Sequence, residues 1–197
     1  MEQKRMLAII LAGIMALAAC LTFYITRDKK EQEVGNTDAI RFKEEYESLN
    51  DKRDRNGNLY LSVSISNDNP VVYKNEAEIL ELFKDKTGIF YFGYNSDAWC
   101  RGIIEPLLRS MNDNNMDTLY YYQILDTEEN QNQESYFYTP SVLTVLDGEI
   151  VKIEQKSEDE SLEFNDEEKE NLYNLYNEMI AEIKNGSCDD PKEEAGC

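Results

Sequence analysis

Between Gly88 and Pro106 the hydrophobic period of the chain changes within a few residues. Ile89, Phe90, Tyr91 and Phe92 form an unbroken apolar and aromatic run, the mark of a buried strand. Gly93 to Asp97 is a polar turn, and beyond it Trp99, Ile103, Ile104, Leu107 and Leu108 recur at helical spacing. The first turn of that helix carries Cys100. A helix N-terminus presents unpaired N–H groups and a partial positive charge, which stabilise a thiolate. Asp97 acts in the opposite sense, since a nearby negative charge raises a thiol pKa. Three roles are open to Asp97: helix cap, electrostatic brake on Cys100, or proton acceptor for its thiol.

The chain around this stretch alternates helical and extended patterns. Asp38 to Leu49 spaces Ile40, Phe42, Tyr46 and Leu49 among charges as an amphipathic helix does, and Asp51 to Asn58 with its Asn-Gly pair reads as a turn. Leu59 to Ile65 alternates Leu61, Val63 and Ile65 against Ser62 and Ser64, the pattern of a strand with one polar face. Val71 to Tyr73 reads as a short extended piece. Lys74 to Lys84 reads as a helix with Asn75 and Glu78 spaced as a capping box. Thr118 to Leu125 is aromatic and β-prone, with three consecutive tyrosines suited to sheet packing. Asp126 to Glu134 is too polar to pack. Val142 to Leu146 and Glu149 to Ile153 flank Asp147-Gly148, a hairpin signal. An apolar stripe from Leu172 to Ile183 then marks a last helix, with Asn165 or Asp166 as cap and Asn185-Gly186 as stop. Strand, helix and strand in this order suit an α/β fold with a parallel sheet covered by helices.

At the amino terminus, Lys4 and Arg5 precede an apolar run from Met6 to Thr26, which is followed by Arg27, Lys29 and Lys30. That order marks an export signal. Two readings stand. Leu17-Ala18-Ala19-Cys20 resembles a bacterial lipobox, which would be cut before Cys20 and lipidated on that thiol. The run continues past Cys20, however, and reaches the length of about twenty residues that an uncleaved anchor needs. Either way the soluble part is expected to be tethered to the cell membrane on its extracytoplasmic side. The domain expectation is a signal or anchor over 1–30, a linker and amphipathic helix over 31–58, an α/β domain over 59–185, and a tail over 186–197.

The active stretch resembles the thioredoxin-like proteins of the bacterial cell envelope, whose motif reads Phe-Gly-x-x-x-Cys-Pro-Trp/Tyr-Cys-Arg. Laid on this chain without a gap, the phenylalanine and glycine fall on Phe92 and Gly93. The aromatic residue, the second cysteine and the arginine fall on Trp99, Cys100 and Arg101. The attacking cysteine falls on Asp97 and the intervening proline on Ala98. The family also sets a threonine or valine and a cis-proline before a hairpin and against the active cysteines, and Thr139-Pro140 matches that position. The resemblance implies a thioredoxin-like α/β fold with a central sheet flanked by helices. Pro106 stands one position later than the proline that the family carries in this helix.

Without the attacking cysteine, Cys100 cannot complete a dithiol–disulfide cycle within the motif. The resemblance then implies binding rather than oxidoreductase activity, through the groove between Trp99 and Thr139-Pro140 that holds an extended substrate chain in active relatives. The alternative is a thiol–disulfide oxidoreductase in which Cys100 works with Cys188 and Cys197 or with a partner thiol. Cys188 and Cys197 bracket a short polar tail, where a local disulfide, exchange with Cys100, and free thiols all remain open. A role as an accessory subunit of an export system rests on the resemblance alone.

The formal charge of −20 argues against nucleic acid as a partner, because a phosphate-binding surface needs a basic patch. The absence of histidine removes the usual general base and the commonest zinc ligand. No metal and no cofactor are expected, and the expected partners are the membrane, through the N-terminal segment, and a protein or peptide client.

Overall fold

The computed structural model describes residues 37–124, 139–155 and 164–188. The N-terminal segment with Cys20, the loop over 126–134 and the tail with Cys197 lie outside these residues, as does the side chain of Cys188. The described residues from Asp38 onward belong to one compact unit. Among the described residues, no helix is long and apolar enough to cross a membrane.

The chain begins with α1, over 37–47, and continues through β1 (Val71–Tyr73), α2 (Glu76–Leu82), β2 (Gly88–Gly93) and α3 (Ala98–Asp113). It ends with β3 (Leu119–Gln123), β4 (Ser141–Leu146), β5 (Glu149–Gln155) and α4 (Asp166–Cys188). The five strands form one mixed sheet in the order β1-β3-β2-β4-β5. β1 and β2 run parallel to β3 on either side of it, β4 is antiparallel to β2, and β5 is antiparallel to β4. The α/β architecture expected from the alternating patterns is therefore present.

β2 is buried along its whole length, as its unbroken apolar run requires. Its side chains alternate between two cores. Ile89 and Tyr91 join Phe42 and Tyr46 of α1, Ile104 and Leu107 of α3 and Tyr176 and Ile180 of α4. Phe90 and Phe92 face the other way, toward Ile79, Leu82 and Phe83 at α2. Among the described residues, three helices thus cover one face of the sheet and a seven-residue helix the other. Tyr121 enters the larger core, while Tyr120 and Tyr122 pack on the smaller one. Helix α1 is part of the core of the domain, since Phe42 and Tyr46 are fully buried.

Several local signals take the form they predict. Asn75 and Glu78 form a complete capping box. Asp147 and Gly148 both take positive φ, as a two-residue hairpin turn of the primed type requires. Two expectations differ from what is found. The alternation of Leu59 to Ile65 buries Val63 and Ile65, but the segment is not a strand of the sheet. Side chains take the place of a neighbouring strand. Asn50 both donates to and accepts from the backbone of Val63, Glu47 accepts the Ile65 N–H, and Lys43 donates to the Ile65 carbonyl. The N–H of Ile65 and the Lys43 ammonium together hold the Glu47 carboxyl below its usual range. The second difference is that Asn185-Gly186 does not stop α4, which runs on to Cys188. Gly186 serves close packing instead, since a Cβ there would stand 2.5 Å from Leu146 Cδ2.

Tyr176 and Tyr46 are both fully buried, but they differ in one respect. The Tyr176 hydroxyl has no hydrogen-bond partner among the described residues, whereas that of Tyr46 meets the Tyr91 hydroxyl at 2.8 Å. Tyr176→Phe is therefore expected to leave stability unchanged or raise it by up to about 1 kcal/mol, and Tyr46→Phe to lower it by about 1 kcal/mol. Urea unfolding midpoints at constant m value measure both.

Candidate functional site

β2 delivers the chain to the N-terminus of α3, and the pairing of Phe92 with Ser141 brings the head of β4 to the same end of the sheet. Asp97 caps α3. Its carboxylate accepts the Cys100 N–H at 2.7 Å, so one of its oxygens is committed to the backbone. The cap role is the one that the geometry assigns.

Cys100 is fully buried and its thiol is not in a disulfide. The sulfur lies beneath the end of β2. The Tyr94 N–H points at Cys100 Sγ from 3.5 Å, and a Cβ on Gly93 would come within 2.9 Å of that sulfur and 2.5 Å of the Tyr91 hydroxyl. Glycine at position 93 is thus required by contact rather than by backbone angle. Burial pushes the Cys100 thiol well above its ordinary pKa, and the charge of Asp97 pushes it further in the same direction. These effects outweigh the helix dipole, and Cys100 is a neutral thiol at neutral pH. The pull of Asp97 is the one the sequence predicts, and burial contributes more.

A group of tyrosines surrounds this thiol. The Tyr46 and Tyr91 hydroxyls bond each other, and the Tyr121 hydroxyl donates to the Gly93 carbonyl at 3.0 Å. The Tyr91 and Tyr121 rings stack with centroids 5.2 Å apart. Burial raises the pKa of Tyr46 and of Tyr91 well above the ordinary phenol value.

Arg101, the next residue, is also fully buried and is the largest such side chain among the described residues. Its guanidinium donates to the Leu61 carbonyl at 2.6 Å, the Tyr46 carbonyl at 2.8 Å, the Asn95 carbonyl at 3.1 Å and Asn50 Oδ1 at 2.7 Å. None of these acceptors is a carboxylate. Burial lowers the Arg101 pKa, yet an arginine keeps its charge at neutral pH. This side chain ties α1, the 50s turn and the extended 59–66 segment to the start of α3. Its role was not legible in the sequence, because Asp97, Arg101 and Glu105 stand at the i, i+4 spacing of exposed ion pairs.

Trp99, Thr139 and Pro140 lie at the same end of the sheet. Trp99 is half-buried and meets Phe164 edge-to-face, with ring centroids 5.0 Å apart. Phe164 also lies against the backbone of Gly102, where a Cβ would stand 2.1 Å from its ring. Thr139 is half-buried, Pro140 is buried directly before β4, and the peptide between them is cis. Pro106 is buried within α3. Among the described residues, no group of three or more histidine, cysteine, aspartate or glutamate side chains could hold a metal ion.

No protein-family model, no curated protein and no solved structure matches this chain.

Two outcomes test this arrangement. Arg101→Met takes its donor from four acceptors, the fully buried Tyr46 carbonyl among them, and is expected to cost about 3 kcal/mol or more in chemical unfolding. The second concerns pH. An unfolded cysteine ionises near pH 8.5 (about) and an unfolded tyrosine near about 10, while folded Cys100, Tyr46 and Tyr91 hold their protons to higher pH. Above about pH 8.5 the unfolded chain therefore binds fewer protons than the folded one, and stability falls as pH rises. Cys100 alone gives a slope approaching about 1.4 kcal/mol per pH unit, which steepens above about pH 10. In Cys100→Ala the part attributable to Cys100 is expected to vanish.

Proposed function

We propose that this chain is a membrane-tethered, extracytoplasmic thioredoxin-like protein that binds an extended protein or peptide client without dithiol chemistry. One observation carries the reading. At the head of α3, the position of an attacking nucleophile is held by Asp97, whose carboxylate caps the helix, while the one thiol of the motif is buried and neutral. A thiol in that state is a poor nucleophile, since the thiolate is the reactive species. The strand order β1-β3-β2-β4-β5, with a helix between β2 and β3 and a proline directly before β4, supports the thioredoxin-like assignment. Trp99 and Thr139-Pro140, at one end of the sheet, would line the client groove. The apolar segment before residue 30 would supply the tether. An enzyme using Cys100 with Cys188 and Cys197 would first have to bring the buried thiol to the surface.

Differential alkylation followed by mass spectrometry tests the chemistry. Cys100 is expected to resist iodoacetamide in the folded protein and to react fully in denaturant. Rapid modification of the folded chain, or a disulfide from Cys100 to either tail cysteine, would sink the binding-only reading. The assignment to the family is tested separately with Asp97→Cys. Under a glutathione redox buffer this variant is expected to form a disulfide with Cys100, and failure to form it in a folded variant would remove the structural basis of the resemblance.

A further inference from the structure

A second surface, at the opposite end of α3, has the features of a peptide-binding edge. An open cleft of about 660 Å³ lies between residues 64–70 and the later turns of α3. One wall is the extended segment that side chains hold outside the sheet. Its inner edge is fully occupied at Val63 and Ile65 by Asn50, Glu47 and Lys43. Its outer edge is only partly used. The Ser64 N–H donates to Glu105 Oε1 at 2.8 Å, and Asn69 Nδ2 reaches the Ser66 carbonyl at 2.8 Å. The Ser64 carbonyl and the Ser66 N–H have no partner among the described residues.

That remaining pair has a definite geometry. In a parallel β-bridge, one residue of the incoming chain donates to the carbonyl of residue i−1 and accepts from the N–H of residue i+1. With Ile65 as residue i, the open groups are those a single incoming residue needs. The cleft wall below them offers the half-buried apolar side chains Leu108 and Met116. Its charge is negative. Asp68 and Asp117 are exposed at the cleft, while the one cation among its lining residues, Arg109, is engaged by Glu170 at 2.7 Å and lies over the Tyr173 ring; Lys169 and Lys43 approach from behind the lining and are held by Glu105 and by Glu47.

We propose that this cleft binds an extended, basic segment of a partner protein by strand addition along residues 64–66. An apolar side chain of the segment seats on Leu108 and Met116, and a flanking lysine or arginine meets Asp68 or Asp117. Main-chain pairing supplies affinity, and the pocket and the two carboxylates supply selectivity. The site does not depend on the reading of the Cys100 end, since it shares no residue with it.

The test uses the full chain and a labelled peptide, acetyl-Lys-Val-Leu-Val-Lys-amide, against its analogue with glutamate in place of both lysines. Fluorescence anisotropy measures affinity, and the ¹⁵N–¹H resonance of Ser66 reports the location. The basic peptide is expected to bind saturably and shift the Ser66 amide, and the acidic analogue not to bind. Asp68→Lys with Asp117→Lys is expected to weaken binding about tenfold or more, whereas Asp85→Lys with Glu149→Lys, which changes charge equally elsewhere, is expected not to. Equal weakening by both pairs would show diffuse attraction to an acidic protein and overturn the proposal. So would an unmoved Ser66 amide or the absence of saturable binding at millimolar peptide. Dimers that dissociate only in the Asp68→Lys, Asp117→Lys variant would assign the cleft to a second copy of the chain, and would overturn it as well.

Discussion

A buried guanidinium with no carboxylate beside it holds this domain together at its most important junction. Arg101 reaches four oxygens that belong to α1, the turn after it, the 59–66 segment and the loop before α3. A charge removed from water is tolerated only when polar groups replace the solvent, and four of the five guanidinium N–H groups are engaged, so these four acceptors must sit where the fork of donors points. The constraint acts in both directions. It fixes the path of the chain before the first strand, and it fixes the first turn of α3, to which Trp99, Cys100 and the capping Asp97 belong. With Asn50, Glu47, Lys43 and Glu105 completing the work, side chains supply the hydrogen bonds that a sixth strand would otherwise have supplied.

The chemistry of Cys100 follows from its position in that junction. A cysteine in the first turn of a helix has the field that favours a thiolate. Here the sulfur is instead covered by the end of β2 and closed in by aromatic rings, and the capping carboxylate adds a negative charge. Desolvation dominates, because the cost of burying an ion exceeds the partial charge at a helix end. The same interior holds the Tyr46 and Tyr91 hydroxyls as a closed hydrogen-bonded pair.

The two faces of the sheet are served unequally among the described residues. The larger core gathers three helices, while the opposite face is packed by α2 alone, and Ile150, Val151 and Ile153 of the edge strand remain exposed. Lys152 within that strand separates the apolar residues and reaches Glu178 at 3.9 Å. A charged residue in an edge strand hinders pairing with another chain, and the formal charge of −20 adds general repulsion between copies.

Much of the layer structure was written locally. The unbroken apolar run of β2, the Asn75–Glu78 capping box, the Asp147-Gly148 turn and the stripe of α4 are short-range patterns whose physics does not depend on the remainder of the chain. They determined an α/β domain with a strand-turn-helix at its centre, and they offered Asp97 as one candidate for the cap. The register of 59–66 was legible too, since Val63 and Ile65 are the residues that go inside. Its partner was not, because alternation states which face is buried and is silent about what satisfies the backbone. That was decided by side chains as far as 41 residues away, such as Glu105 on Ser64. Arg101 was hidden for a related reason. Its spacing from Asp97 and Glu105 is that of a surface ion pair, and only the convergence of four oxygens, three of them 40 to 55 residues away, turns it inward. Burial of the Cys100 thiol likewise needed the whole core, because desolvation is a property of everything packed around a group and not of its neighbours in the chain.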